Sequence, residues 1–155
     1  MSIRHDGKTF ASVSGDKTAR IWNATTGGEQ LTLERHSGGI SGVAFSPDGS
    51  QIVTGGWDKT VRLWETSSGS RHHNCEGHGG DVWAVAFSAT TPFAASVSED
   101  RIVRAWQTKK REQVASLVAH TGSLYAVVFN HNGQHLATAG RDGIARVWDM
   151  KQIAH

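Results

Sequence analysis

Histidine, aspartate and a hydroxyl side chain recur together in this chain of 155 residues, and that combination can support nucleophilic hydrolysis. One set is His78, Ser96 and Asp100. The sets one repeat before and one repeat after it, with threonine in place of serine, are His36, Thr54, Asp58 and His120, Thr138, Asp142. A catalytic nucleophile needs an exposed turn and an oxyanion hole. Because the set occurs in three consecutive repeats, the sequence favours a structural role over hydrolysis.

Zinc chemistry is a second candidate, since His73, Cys75 and His78 are ligand types that stand close together. Alternation along a strand would place His72 and His73 on opposite faces, and the spacing differs from the usual Cys/His zinc signatures. We therefore expect no metal site and no cofactor. Cys75 is the single cysteine, which forbids an internal disulfide and indicates a reducing, cytoplasmic location.

A period of 42 residues organises the whole sequence. It links four tryptophans, four aspartates and four arginines, and also three histidines and three phenylalanines. The positions are Trp22, Trp64, Trp106, Trp148; Asp16, Asp58, Asp100, Asp142; Arg20, Arg62, Arg104, Arg146; His36, His78, His120; and Phe45, Phe87, Phe129. A fixed period of this length is typical of a repeat architecture.

Within each period the local patterns predict strands and turns. In the second repeat we expect strands a (40–46), b (51–56), c (59–65) and d (70–76), separated by turns rich in Gly, Asn and Asp. Helical spacing of apolar residues is not sustained, so no helix is expected. Strand c has bulky residues on both faces, with Leu63 on one and Trp64 on the other. Such a sheet must be packed between neighbouring sheets.

The sequence resembles the WD40 repeat family, which has a Gly-His dipeptide near one end of each repeat and a Trp-Asp dipeptide at the other. The corresponding dipeptides here are Arg35-His36, Gly77-His78 and Ala119-His120, then Trp22-Asn23, Trp64-Glu65, Trp106-Gln107 and Trp148-Asp149. The resemblance implies an all-β fold, a β-propeller made of four-stranded antiparallel blades around a central channel, with four blades in this chain.

The resemblance also implies a buried, hydrogen-bonded tetrad in each blade. In such a tetrad the Trp N–H donates to a hydroxyl, the hydroxyl donates to the imidazole, and the imidazole N–H donates to a carboxylate. The expected tetrads are His36, Thr54, Asp58 and Trp64; His78, Ser96, Asp100 and Trp106; and His120, Thr138, Asp142 and Trp148. In the first repeat only Ser12, Asp16 and Trp22 are present, without a histidine.

We expect one propeller domain over residues 1–155, with blades at about 1–35, 36–77, 78–119 and 120–155. The first blade keeps only the end of its strand a, and the last stops where strand d should begin. Both ends would then expose unpaired strand edges. Blades of this family usually close in sevens or eights, so we expect a homodimer that forms an eight-bladed ring. A piece of a longer propeller and a closed four-bladed monomer are the alternatives.

The resemblance places partner contacts at the mouth of the channel, just after each histidine and just before each aspartate. The candidate binding residues are Trp57, Trp83, Tyr125, Asp81, Glu99 and Arg141. Aromatic side chains near arginine and acidic residues are typical of interaction hot spots. The alternative is that Trp83 and Tyr125 only fill the space between neighbouring strands.

Composition narrows the function. The chain has 16 Lys+Arg and 14 Asp+Glu, a formal net charge of +2, without an extended basic block. This balance suggests neither a nucleic-acid nor a membrane partner. Together with this balance, the resemblance to WD40 repeats implies a non-catalytic scaffold that binds a protein or peptide. The alternative is a fragment of a larger regulatory protein, such as a sensor domain linked to a kinase or an NTPase.

Overall fold

The structure is a computed structural model that describes residues 1–153, without the side chains of Arg71 and His72. It contains fifteen strands and one short helix in the described part of the chain. The elements are β1 (Ser2–Ile3), β2 (Thr9–Val13), β3 (Thr18–Asn23), β4 (Glu29–Glu34), β5 (Ile40–Phe45), β6 (Gln51–Gly56), β7 (Val61–Glu65), β8 (Arg71–Cys75), β9 (Val82–Phe87), β10 (Phe93–Ser98), β11 (Ile102–Gln107), β12 (Glu112–Val118), β13 (Leu124–Phe129), β14 (His135–Gly140), β15 (Ala145–Asp149) and α1 (Met150–Ile153).

Four antiparallel sheets follow one another along the chain. Their strand orders are β1-β2-β3-β4, β5-β6-β7-β8, β9-β10-β11-β12 and β13-β14-β15. Strands β5, β9 and β13 contact one another in sequence, so the first strand of each sheet lies on the inner side of the array. The all-β prediction is confirmed, and each sheet is one blade of half a propeller.

Four equivalent β-turns join the second and third strands of the blades. We call them the tip turns: residues 14–17, 56–59, 98–101 and 140–143. In each turn the fourth amide donates to the first carbonyl, at 3.3, 3.1, 3.2 and 3.1 Å. The fourth residue has a positive φ of 75°, 65°, 69° and 74°, at Lys17, Lys59, Arg101 and Gly143. The third residue is always the aspartate of the 42-residue period.

The apolar core lies between the blades. The first blade contributes Ile21 and Leu33, which pack against Val43 and Phe45 of the second. Equivalent residues fill the next two inter-blade spaces, with Leu63 against Val85 as one example. Burial of this apolar surface is the main force that holds consecutive blades together.

The fourth blade differs from the sequence prediction. It has three strands in the described region, and helix α1 follows the third, so the expectation of no helix was wrong. The Asp149 carboxylate accepts a hydrogen bond from the Lys151 amide at 2.9 Å, which stabilises the start of this helical turn. Met150 is buried against the core of the blade. No helix among residues 1–153 is long and apolar enough to cross a membrane.

Candidate functional site

The second blade brings its four predicted tetrad residues together. Nδ1 of His36 lies 2.9 Å from the Asp58 carboxylate, and Nε2 lies 2.8 Å from the Thr54 hydroxyl. The indole N–H of Trp64 donates to the same hydroxyl at 2.8 Å. The network joins the loop before β5 to strands β6 and β7 and to the tip turn.

The third blade repeats this arrangement with a serine. His78 lies 2.9 Å from the Asp100 carboxylate and 2.7 Å from the Ser96 hydroxyl, to which Trp106 donates at 2.9 Å. This is the geometry of a Ser-His-Asp triad, but Ser96 has no solvent-accessible surface. A substrate carbonyl cannot approach a hydroxyl that is enclosed by protein and bonded to an indole. The arrangement therefore holds strands in place.

The fourth blade holds the full network and the first blade holds part of it. In the fourth blade His120 lies 2.9 Å from the Asp142 carboxylate and 3.0 Å from the Thr138 hydroxyl, to which Trp148 donates at 3.0 Å. In the first blade Trp22 donates to Ser12 at 2.8 Å. The remaining first-blade residue, Asp16, has no histidine partner among the described residues but accepts a bond from the Thr18 hydroxyl at 2.7 Å, as Asp58 does from Thr60.

Burial affects the protonation of the histidines in the second and third blades. Burial lowers the pKa of His36 and of His78 below 6.5, although the neighbouring carboxylates oppose that shift. Burial also acts to raise the pKa of Asp58, but hydrogen bonds from Thr60 and His36 outweigh it and hold the pKa below 3.8. A neutral imidazole therefore donates from Nδ1 to an ionised carboxylate.

The arginine of the 42-residue period, for which no role was expected from the sequence, links consecutive blades in the second and third repeats. Arg62 donates to the Asp58 carboxylate at 3.2 Å and to the Arg35 carbonyl. Arg104 donates to the Gly77 carbonyl at 2.5 Å. Each of these arginines thus ties its blade to the end of the preceding one. The 42-residue period was the signal that could have identified this role.

The residues considered for zinc serve other purposes. Cys75 is buried, and burial raises the pKa of its thiol to about 12, which disfavours the thiolate that binds metal. Both ring nitrogens of His78 are engaged in the tetrad. The side chain of His72 lies outside the described residues. No group of three potential ligands that could hold a metal ion occurs in the described part of the chain.

The tip turns and the loops before β5, β9 and β13 form one surface, which we call the channel-mouth face. Three equivalent backbone bonds join these segments: Trp57 to Gly39 at 2.8 Å, Glu99 to Asp81 at 2.9 Å, and Arg141 to Ser123 at 2.8 Å. The second residue of each tip turn and the start of each first strand therefore lie side by side.

Three aromatic side chains form a row across this face, which we call the aromatic row. The ring centroids of Trp57 and Trp83 lie 6.4 Å apart, and those of Trp83 and Tyr125 lie 5.9 Å apart. Trp57 is 46% exposed and Tyr125 is 50% exposed. The Trp83 ring is partly buried between them, and its Nε1 has no hydrogen-bond partner among the described residues. The rings thus pack on one another and still offer surface to solvent.

The polar candidates lie on either side of the row. Asp81 is partly buried, whereas Glu99 and Arg141 are exposed. Glu99 and Arg141 also line a cleft between the third and fourth blades. All six residues predicted to bind a partner therefore lie on the channel-mouth face.

Stacked antiparallel blades, three of which hold a buried Trp-hydroxyl-His-Asp network, define a β-propeller built from sequence repeats. The family model for the WD domain, G-beta repeat, matches residues 1–23, 27–65, 69–107 and 111–149. The chain belongs to the WD40 repeat family, as the sequence pattern predicted. Each full matching unit contains the last strand of one blade and the first three strands of the next.

Known proteins resemble parts of the chain. Coronin-7 of Bos taurus is 51% identical over 45 residues, which cover 29% of this chain and 5% of that protein. Ribosome assembly protein 4 of Chaetomium thermophilum is 46% identical over 43 residues, 28% of this chain and 8% of that protein. The solved structure of U3-55K matches 97% of this chain and 46% of its own, with a TM-score of 0.90 and 26% identity. The chain thus spans less than half of each of these relatives.

Proposed function

We propose that this protein is a non-catalytic scaffold of the cytoplasm that binds a protein or peptide at its channel-mouth face. The aromatic row is the observation that carries the proposal. Its two outer rings are half exposed, Trp57 on a tip turn and Tyr125 on strand β13, and aromatic side chains lose little conformational entropy on binding. Family membership supports the absence of catalysis, because WD40 propellers generally serve as interaction platforms.

A captured partner allows a direct test. Affinity capture followed by calorimetry with the purified partner would compare Trp57→Ala and Trp83→Ala with the parent protein. We expect each substitution to weaken binding by about 1–3 kcal/mol. Lys110→Ala, in the turn at the opposite end of the blades, is the control and should bind normally. Unchanged affinity in both tryptophan variants would place the partner elsewhere.

We also propose that a second copy completes the ring. Val147 is 70% exposed, whereas the equivalent residues Ile21, Leu63 and Ala105 are buried against the following blade. At the other end Met1 is 82% exposed, although its equivalent Val43 is buried against the preceding blade. The bare outer face of the fourth blade thus carries the residue types that pack between blades elsewhere. A head-to-tail dimer would bury both faces.

The alternative is that further repeats in one longer polypeptide cover these faces, as in a larger regulatory protein. The matched solved structure supports this alternative, because this chain covers 46% of it. Light scattering coupled to gel filtration distinguishes the two on the 155-residue chain. A defined particle of twice the chain mass supports the dimer, and a compact monomer at micromolar concentration contradicts it.

A further inference from the structure

Each tip turn presents one cation to solvent. Lys17, Lys59 and Arg101 occupy the fourth position of the first three turns, and Arg141 occupies the second position of the last. None of the four side chains has an ion pair or a hydrogen bond in the part of the chain that the structure describes. The tip turns are therefore a row of free positive charges beside the aromatic row.

Three of these cations stand at a strained position of the backbone. Lys17, Lys59 and Arg101 have φ values of 75°, 65° and 69°, and the fourth turn has Gly143 there at 74°. A left-handed backbone disfavours side chains with a Cβ, and glycine avoids that cost. Strain of this kind persists at functional sites. A lysine or arginine where glycine would be more stable indicates that the charge serves a purpose besides folding.

A cleft between the third and fourth tips concentrates this charge. Arg101 and Arg141 line it together with the hydroxyl-bearing Thr121 and Ser123, so its walls are rich in hydrogen-bond donors. Glu99 is the lining carboxylate that has no ion pair or hydrogen bond among residues 1–153.

The other acid of this cleft already has bonding partners within its own blade. Asp142 lines the cleft, but its carboxylate accepts hydrogen bonds from His120 and from Arg146, at 2.9 and 3.0 Å. These bonds, that from His120 first, hold the pKa of Asp142 well below its usual range. Among the described residues of the channel-mouth face, five cations without a partner (the four of the tip turns and Arg35) thus accompany three such carboxylates, those of Glu76, Asp81 and Glu99.

We infer that the channel-mouth face recognises an acidic peptide segment. Carboxylates of the segment bind Arg101 and Arg141 in the cleft, and its apolar side chains rest on the aromatic row. Guanidinium groups bind carboxylates through paired hydrogen bonds. This inference rests on the proposed function and adds the chemistry of the partner.

The test uses three labelled peptides of equal length with one central leucine: one otherwise of glutamate, one of glutamine and one of lysine. Fluorescence anisotropy with the full chain should show binding of the glutamate peptide, weakened by added salt. Arg101→Gln with Arg141→Gln should reduce its affinity roughly tenfold. Lys109→Gln with Lys151→Gln removes the same charge at the opposite end of the blades and should change the affinity less than twofold, about the effect of remote charges.

Arg101→Gly separates binding from folding. The substitution relieves a left-handed side chain, so the urea midpoint should rise while the affinity for the glutamate peptide falls roughly threefold. Unchanged affinity in this variant and in the double variant would overturn the inference. So would equal binding of the glutamine or lysine peptide, or no binding of any peptide. A single-stranded oligonucleotide bound in place of the glutamate peptide would likewise contradict it.

The two proposals can fail separately. If a neutral peptide binds and Trp57→Ala abolishes its binding, the channel-mouth face is a binding site but the acidic preference is wrong. If the affinity for a captured partner is unchanged by both tryptophan substitutions, the proposed function itself is wrong.

Discussion

Nδ1 of His78 lies 2.9 Å from Oδ2 of Asp100, and this hydrogen bond joins the loop before β9 to the tip turn 22 residues further along the chain. His78→Ala should leave the Asp100 carboxylate and the Ser96 hydroxyl without this buried partner. We expect a loss of about 2–4 kcal/mol in the free energy of unfolding. His131→Ala, on an exposed turn, is the matched control and should change stability by less than about 0.5 kcal/mol. Equal urea midpoints for the two variants would disprove the tetrad's role.

Stability should fall on acidification, first through the histidines. Because burial lowers the pKa of His36 and His78, the unfolded chain takes up protons below pH 6.5 before the folded chain does. Below pH 3.8 protonation of Asp58 and Asp100 lowers stability further, since their pKa values are lowered in the folded state and the unfolded chain takes up these protons first. Urea midpoints at pH 7, 5 and 3 should therefore decrease in that order. The double variant His36→Gln, His78→Gln should flatten the step from pH 7 to pH 5, and a flat parent profile would contradict the assignment.

Gly39 holds the aromatic row in place by having no side chain. A Cβ there would lie 2.7 Å from Cε3 of Trp57, whereas a Cβ at Gly15 would meet nothing within 4 Å. Gly39→Ala should move the Trp57 ring and destabilise the fold by about 1–3 kcal/mol, as overpacking does. Gly15→Ala is the control. Tryptophan fluorescence and urea melts report both effects, and identical spectra for the two variants would show that the ring does not rest on Gly39.

The outer face of the fourth blade tests the assembly. If a second copy covers Val147, then Val147→Glu should yield a monomer, because an unpaired charge buried in an interface is strongly unfavourable. The variant should stay folded, since Val147 is exposed within one chain, but its urea midpoint should fall below that of the dimeric parent, which association stabilises. Val118→Glu, on the exposed edge strand β12, is the control and should leave the mass unchanged. A dimer that survives Val147→Glu would contradict the head-to-tail arrangement.

The strands were predictable because turn residues and alternation are local signals. Strand b of the second repeat has the predicted bounds Gln51–Gly56. Strand c begins at Val61 instead of residue 59, because Lys59 closes the tip turn with a positive φ. The sequence did not predict this conformation, because lysine rarely adopts a positive φ.

The site was predictable in its membership but not in its geometry. The 42-residue period placed Trp83 and Tyr125 at the same position of two repeats, and Trp57 directly before the aspartate of its repeat. Their contact, however, depends on Gly39 and on how far neighbouring blades are rotated, which no local pattern encodes. The free state of Arg101 and Arg141 depends equally on which acids lie within reach in the folded chain.

The offset between the sequence repeat and the blade has a consequence for how such proteins evolve. A unit such as 27–65 begins with the outer strand of one blade and ends with the third strand of the next. Any segment of 42 residues, wherever recombination cuts it out, therefore carries the material of one blade. Its two ends occupy the same structural position, so a tandem copy can be inserted without a new loop. Genes of this kind can gain or lose blades by unequal crossing-over at almost any point along the repeat.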